Sequence, residues 1–358
     1  MKQNRKKKIL CVVILVISMA MFGKMGWNVS WAATQKEVTT EQLDEDVVLV
    51  GGMPIGIYME TDGVLVLNTQ KIKGIDGKEY NPAEKQVKAR DYIVGINGVE
   101  IHDKKQLTEQ VEKLNDQEVE LSIYREQKSL NVKMKAVEAA EKKYKLGIWV
   151  RDNVQGLGTI TFLTKNSEFG ALGHGIHDID TSVLMKIADG RIYRTSIRSV
   201  VKGSEGIPGS MEGIIVYNRY NQLGTIKKNT EVGIYGILDD VNTLFEEQYA
   251  VQVAKIEEIK KGKATIRCVL DGEGKEYAVE ILEIDKTPNE INKGITLKVT
   301  DPELLGKTGG IVQGMSGSPI LQDGKLVGAV THVFVNNSTK GYGIFAETML
   351  KEAEKCSM

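Results

Sequence analysis

Apolar and polar residues alternate in short runs along most of the chain, and helical spacing is rare. From Val47, the stretches VVLVGGMPIGIYME and GVLVLN read as β-strands split by a Gly-rich turn. DYIVGINGVEI, Asp91 to Ile101, reads as strand, turn, strand. Asn97-Gly98 is a strong hairpin signal there, because a type I′ turn needs positive φ at both central positions. KKQLTEQVEKL, Lys104 to Leu114, is helical, with Leu107, Val111 and Leu114 on one face. EVELSIYREQKSLNVKMKAV then reads as a hairpin, and the charged EAAEKKYK, Glu138 to Lys145, as a connector. After Leu146 about a dozen short strand-like runs follow, separated by Gly-rich turns. That spacing predicts an all-β barrel or sandwich, and no βα alternation argues for an α/β enzyme. The one clear helix in this half is terminal, in AETMLKEAEK.

A chain of 358 residues has room for two domains, and 37 glycines against 6 prolines suit β-rich structure with many turns. A net charge of −1 implies no polyanionic partner, so nucleic-acid binding is not expected. No strand, Gly-loop and Lys-Ser/Thr sequence supports phosphate chemistry. Cys11, Cys268 and Cys356 form neither a disulfide framework nor a zinc spacing, and no metal or cofactor is expected. At the N-terminus, Arg5 to Lys8 (RKKK) precede the apolar run Ile9 to Phe22. A basic cluster before a short apolar run is the layout of an export signal, and the run is shorter than the roughly 20 residues of a usual spanning helix. Small residues follow in SWAA, Ser30 to Ala33, while Lys24 interrupts the apolar stretch, so the segment is read as a signal or a retained anchor. Either way the remainder is expected outside the cytoplasm. The expected organisation is 1–33 signal or anchor, 34–46 linker, 47–137 first domain, 138–145 connector and 146–358 second domain.

The order of elements over Val47 to Val137 resembles a PDZ domain. MPIGI resembles the carboxylate-binding loop of that family, and ARDYIVGINGVEI its Gly-Asp-x-Ile-x-x-Ile-Asn-Gly segment, with Ala-Arg-Asp at its start. The resemblance implies a peptide-binding site at Ile55, Gly56 and Ile57. The strand Ile57 to Glu60 would lie open beside the 104–114 helix, so that an extended peptide adds to it. The other reading of the same fold is an internal clamp on the following domain.

QGMSGSPI, residues 313–320, poses the chemical question. A serine hydroxyl is a weak nucleophile that needs a base, an orienter for the base and donors for the oxyanion. Gly314 permits a sharp turn, and the N–H groups of Gly314 and Ser316 can point at one spot. Gly317 lets a substrate backbone approach. Ser316, flanked by glycines, is favoured over Ser318, which precedes Pro319. Four histidines are present: His102, His174, His177 and His332. His174, between Gly173 and Gly175, is favoured as base over His177, since the loop can turn its imidazole into a cleft. His332 falls at a strand edge with Thr331, where it either touches substrate or packs in a barrel. Gly309 and Gly310 suggest a pocket wall without fixed charge.

GALGHGI, KGSEGIPGSMEG, TGGIVQGMSGSPI, GAVTHVFVN and GYGIFAETML together resemble the peptidase domain of the stage IV sporulation protein B family. With the PDZ-like region and the N-terminal segment, the resemblance spans nearly the whole chain. It implies a mainly β chain in which a chymotrypsin-like double β-barrel serine peptidase follows the PDZ-like domain. It also implies a nucleophile at Ser316, a base at His174 and, through KVTDPELLGKTGG, an acid at Asp301. Asp301 departs from the broader chymotrypsin pattern, in which the acid lies between the histidine and the second barrel. Asp178, Asp180, Asp239 and Asp240 are the positional alternatives. The resemblance further implies an exported endopeptidase acting between forespore and mother cell. Its target would be a membrane regulatory complex that holds an intramembrane protease, leading to activation of a late sigma factor. Self-cleavage is implied too, in the linker Thr34 to Asp46. A catalytically silent PDZ scaffold and an HtrA-type stress protease are the competing readings, although HtrA proteins carry the PDZ after the catalytic domain.

Overall fold

The structure, a computed structural model, describes residues 44–204, 206–239, 244, 249–270, 272 and 274–356. The apolar segment and most of the linker to residue 46, with any cleavage site they hold, lie outside the described residues. Among the described residues no helix is long and apolar enough to cross a membrane.

The first strands are β1 (Val47–Val50) and β2 (Pro54–Thr69), followed by the short hairpin β3 (Ile72–Lys73) and β4 (Glu79–Tyr80). Then come β5 (Tyr92–Ile96), β6 (Val99–Glu100), helix α1 (Lys104–Val111), β7 (Glu118–Arg125) and β8 (Lys128–Lys135). Asn97 and Gly98 turn β5 into β6 with φ of 49° and 79°, as the Asn-Gly pair predicts. Asp103 caps α1 by accepting from the Gln106 N–H, and Leu107 is its buried residue. Val64, Ile93, Ile96, Leu107, Leu121 and Ile123 are among the residues that form this unit's own core. Asp91, wholly buried, is held by Arg125 through two bonds of 2.6 and 2.7 Å. The expected connector is structured: β9 (Val137–Ala140) and β10 (Lys143–Lys145) pair as a hairpin.

The next group is β11 (Ile148–Leu163), β12 (Glu168–Ala171), β13 (Asp189–Val201), β14 (Ser210–Ile215), β15 (Gln222–Thr230), β16 (Gly233–Leu238) and β17 (Ala250–Gln252). Antiparallel pairings run β2–β11–β12–β16–β15–β13 and back to β2, which closes a ring of six strands. The second barrel closes through β18 (Gly262–Val269), β19 (Gly274–Ile284), β20 (Ile295–Val299), β23 (Asn337–Phe345), β22 (Lys325–Phe334) and β21 (Pro319–Gln322). Helix α2 (Pro302–Thr308) lies between β20 and β21, and α3 (Ala346–Ala353) follows β23. Ala346, Met349, Leu350 and Ala353 of α3 pack with Val48, Phe162, Tyr235 and Leu326, so this helix joins a core shared by strands of both barrels.

Two expectations change here. The stretches 47–60 and 63–68, read as strands split by a turn, divide elsewhere: the break falls at Gly51 to Met53, between β1 and β2, and residues 54–69 run on as one strand. Gly63, at φ 83°, kinks the strand without ending it, and Thr61 Oγ1 bonds the Gly63 carbonyl across the kink. β11 follows β2 along both halves, with its register shifted at Arg151 and Asn153. The proposed peptide-binding edge is also closed. Ile55, Gly56 and Ile57 pair with Gly158, Leu157 and Gly156 on one side and with Arg194, Tyr193 and Ile192 on the other. Both backbone edges are satisfied within the chain, so residues 55–57 are wall of the first barrel and offer no place for a peptide strand. β1 likewise pairs with β11 and β17, outside the PDZ-like core.

Candidate active site

The cleft between the barrels has a volume of about 480 Å³ and is lined by His174, Ser316, Thr331, His332 and Gln313 together with apolar side chains such as Leu172 and Val312. His174 enters it from the loop after β12. Leu172 and Gly173, at φ 70° and 71°, are successive left-handed residues that reverse the chain just before the histidine. A Cβ on Gly173 would come within 2.9 Å of Ile344 and Thr331, so the loop packs directly on the second barrel. His174 Nδ1 is 2.9 Å from the Gly175 carbonyl. With the proton on Nδ1 it donates to that carbonyl, and Nε2 keeps its lone pair. Burial, partly opposed by the Gly175 hydrogen bond, holds the imidazole pKa below its usual value, with His177 a smaller like-signed influence.

The nucleophile loop is fixed from both barrels. Thr159 and Thr161 of β11 donate their hydroxyls to the Gly314 and Gly317 carbonyls, each at 2.8 Å. The Thr159 N–H bonds the Ser316 carbonyl at 2.9 Å, and the Gly317 N–H bonds Val330 at 2.7 Å. Gly314 and Gly317 take φ of 100° and 96°. Met315, fully buried, anchors the loop in the second barrel core. Ser318 is also fully buried, with no hydrogen bond to its hydroxyl, which leaves Ser316 as the loop serine that lines the cleft. The N–H groups of Gly314 and Ser316 make no hydrogen bond to any described residue. The Ser316 hydroxyl donates to the Thr331 carbonyl at 2.8 Å.

The expected acid is not brought to this place. Asp301 is the N-cap of α2: its carboxylate accepts from the Glu303 and Leu304 N–H groups at 2.9 and 3.0 Å and from Ala278 N–H at 3.3 Å. It makes no bond to His174, because Pro302 and Glu303 start a helix whose free N–H groups claim the carboxylate. The alternatives fare no better. Arg151 pairs with Asp178 and, at 2.8 Å, with Asp180. Burial raises the Asp178 pKa, but Thr181 and Arg151 outweigh it and hold the carboxyl below its ordinary value. Asp239 accepts from Gln222, and Asp240 lies outside the described residues. The group at His174 Nδ1 is therefore a backbone carbonyl.

The other histidines are accounted for. His177 shares the Gly175 carbonyl at 3.2 Å and meets Glu231 at 3.1 Å, so it lies at the cleft but is tied to its own carboxylate. His102 pairs with Asp62 on the exposed side of the first unit. His332 stacks beside His174, with ring centroids 4.9 Å apart, and its buried Nδ1 has no partner. Burial, then the neighbouring His174 and Lys293, push its pKa down to about 4. The residues that sequence reasoning missed are Thr159, Thr161 and the Gly175 carbonyl. The two threonines at alternate positions of an apolar strand did carry a signal, since they share one face. Among the described residues no group of three or more His, Cys, Asp or Glu side chains is placed to hold a metal. Cys268 is a free, buried thiol whose pKa burial pushes up to about 12.

The family match decides the assignment: residues 142–350 fit the SpoIVB peptidase S55 family, and residues 51–136 fit the PDZ domain. The chain belongs to the SpoIVB peptidase S55 family. It is a serine endopeptidase that carries a PDZ domain ahead of its catalytic barrels. No curated protein matches the sequence. Among solved structures, the inactive form of the Rv3671c protease from M. tuberculosis aligns at 12% identity and a TM-score of 0.30, over 57% of this chain and 85% of that one. The HtrA-type protease AlgW with a tripeptide aligns at 12% identity and a TM-score of 0.33, over 56% of each chain. These likenesses are loose, and the double-barrel architecture of this S55 peptidase rests on its strand pairings.

Proposed function

We propose that the chain cleaves polypeptides through Ser316 as nucleophile and His174 as general base. The observation that carries this is that Ser316, with two unpaired amides beside it, and His174 line one cleft between the barrels. In the reaction the Ser316 hydroxyl turns from Thr331 toward the imidazole and gives its proton to Nε2. Its oxygen attacks the scissile carbonyl, and the Gly314 and Ser316 N–H groups take the oxyanion. The imidazolium then protonates the leaving amine, and water hydrolyses the acyl-enzyme in the reverse sense. The Gly175 carbonyl fixes the tautomer that a carboxylate fixes in other serine proteases.

The wider setting is proposed on family membership and on the basic and apolar N-terminal sequence. The enzyme is exported, stays associated with the membrane, and trims a membrane regulatory protein during sporulation signalling. The PDZ unit serves it as an internal clamp, a role that the long β2–β11 pairing supports.

A fluorophosphonate probe tests the chemistry. It should label the wild type and leave Ser316→Ala unlabelled, while His174→Ala should lower the labelling rate by at least about 10³-fold. The bond from Ser316 to Thr331 favours a second reading, a silent scaffold. Absence of label on folded wild type would establish it.

A further inference from the structure

β14 is an open edge beside the cleft. It pairs with β13 on one side, and its other side meets only Gln313, in an isolated parallel bridge at Ser210, among the described residues. That bridge consists of Met211 N–H to Gln313 O and Gln313 N–H to Gly209 O, both 2.8 Å. Gln313 is three residues before Ser316. Past Gln313 the nucleophile loop leaves the edge, since Gly314 turns away at φ 100°. Strand alternation then directs the N–H and C=O of Gly213 and Ile215 the same way as those of Met211, away from β13. The Thr195 hydroxyl bonding the Ile214 carbonyl at 3.1 Å fits this, because even-numbered residues face β13.

The neighbourhood suits an extended chain. Gly213 lies against Leu157, a cleft residue, and the Ile215 side chain packs over Gly56, next to the cleft residue Ile57, so β14 lies beside the cleft. Ile214 and Val216 are about half exposed and offer an apolar flank. Natural sheet edges are usually blunted by lysine, proline or a bulge. SMEGII has no lysine or proline, and the register shift of this pair lies on β13 at Arg198.

We propose that this edge is a docking strand for the substrate: the segment flanking the scissile bond adds to Gly213–Ile215, continuing the line that Gln313 and Gly314 leave. The proposal rests on the peptidase reading of the cleft and names its substrate as a polypeptide in extended form. It also assigns specificity to length and backbone more than to one side chain, since strand addition reads main-chain groups. A partner of this kind is favoured over a second copy because the open edge begins at the catalytic loop.

The test uses the full chain and a casein-derived peptide that the wild type cleaves. Single N-methyl groups are placed at successive positions on either side of the scissile bond. Methylation at alternate positions on one side should lower kcat/KM by about three- to tenfold, the worth of one hydrogen bond. Each penalty reports a substrate N–H that donates to an edge carbonyl. In Ile215→Pro the ring takes the place of the edge N–H and stands where the added strand would lie, so docking is lost and those penalties should vanish. A proline there is compatible with an edge strand, and an unchanged melting temperature checks the fold. A short ester substrate without residues past the leaving group should lose less activity than the peptide. Penalties that persist unchanged in Ile215→Pro overturn the docking strand. So does a chain that is dimeric until Ile215→Pro makes it monomeric, which would give the edge to a second copy. If the wild type cleaves neither peptide nor ester, the peptidase reading falls as well.

Discussion

The Asp301 carboxylate accepts from the Glu303 and Leu304 N–H groups at the start of α2. Asp-Pro-Glu before an apolar turn is a helix start, and it is equally a carboxylate a short way before a nucleophile. In the structure the cap has it. Asp301→Asn keeps an acceptor at the cap, so its stability should stay within a few tenths of a kcal/mol and its kcat/KM within about twofold of wild type. Asp301→Ala should cost about 1 kcal/mol in urea unfolding. A drop of several thousandfold in the Asn variant would return Asp301 to the catalytic machinery. His332 makes a pH prediction. Its folded pKa of about 4 lies below the ordinary 6.5, so between those values the unfolded chain binds the extra proton more readily. Stability from this group is complete above about pH 6.5 and is lost as pH falls toward 4. The groups facing the ring are His174, Lys293, Glu290 and His177. Thermal melts from pH 7 to 4.5 should fall less steeply for His332→Phe than for wild type.

At the scale of elements, the nucleophile loop is positioned by a strand of the other barrel. Thr159 and Thr161 reach across from β11, and Gly317 sits so close that a Cβ would lie 2.0 Å from the Thr159 carbonyl. Its φ of 96° excludes ordinary side chains as well. Gly317→Ala should therefore destabilise by more than about 2 kcal/mol, read as a lowered urea midpoint with unchanged slope. The glycine pattern of this loop was legible in sequence, because a backbone turn writes itself locally. The threonine props showed only as a polar pair on one face of an apolar strand, and their role did not show, since their partners lie about 155 residues away. Helix α2 was missed for a different reason. Seven residues with one internal glycine carry too short a period to stand out, although the Asp-Pro start was available.

For the whole molecule, the long β2–β11 pairing makes the PDZ unit and the first barrel continuous. The same two strands serve both, and Arg90 and Tyr92 of the PDZ unit bond backbone groups of Thr181 and Lys186 in the stretch that follows His174. Amide exchange measures this directly. The N–H groups of Ile55, Gly56 and Ile57 should exchange among the slowest in the chain, and added peptides should leave them unchanged. Fast exchange there, or protection that appears only with peptide, would reopen the edge as a binding strand. The mainly β character, the hairpin at Asn97-Gly98, the Gly-His-Gly and Gly-x-Ser-Gly loops, and the family are all legible before folding, because each is written in neighbouring residues. That residues 54–60 close a barrel instead of lying open, that Asp301 caps a helix, and that a carbonyl stands behind His174 emerge once the chain is folded. Those outcomes depend on which distant strand or helix end reaches a group first, and strand pairing over a hundred residues leaves no local mark.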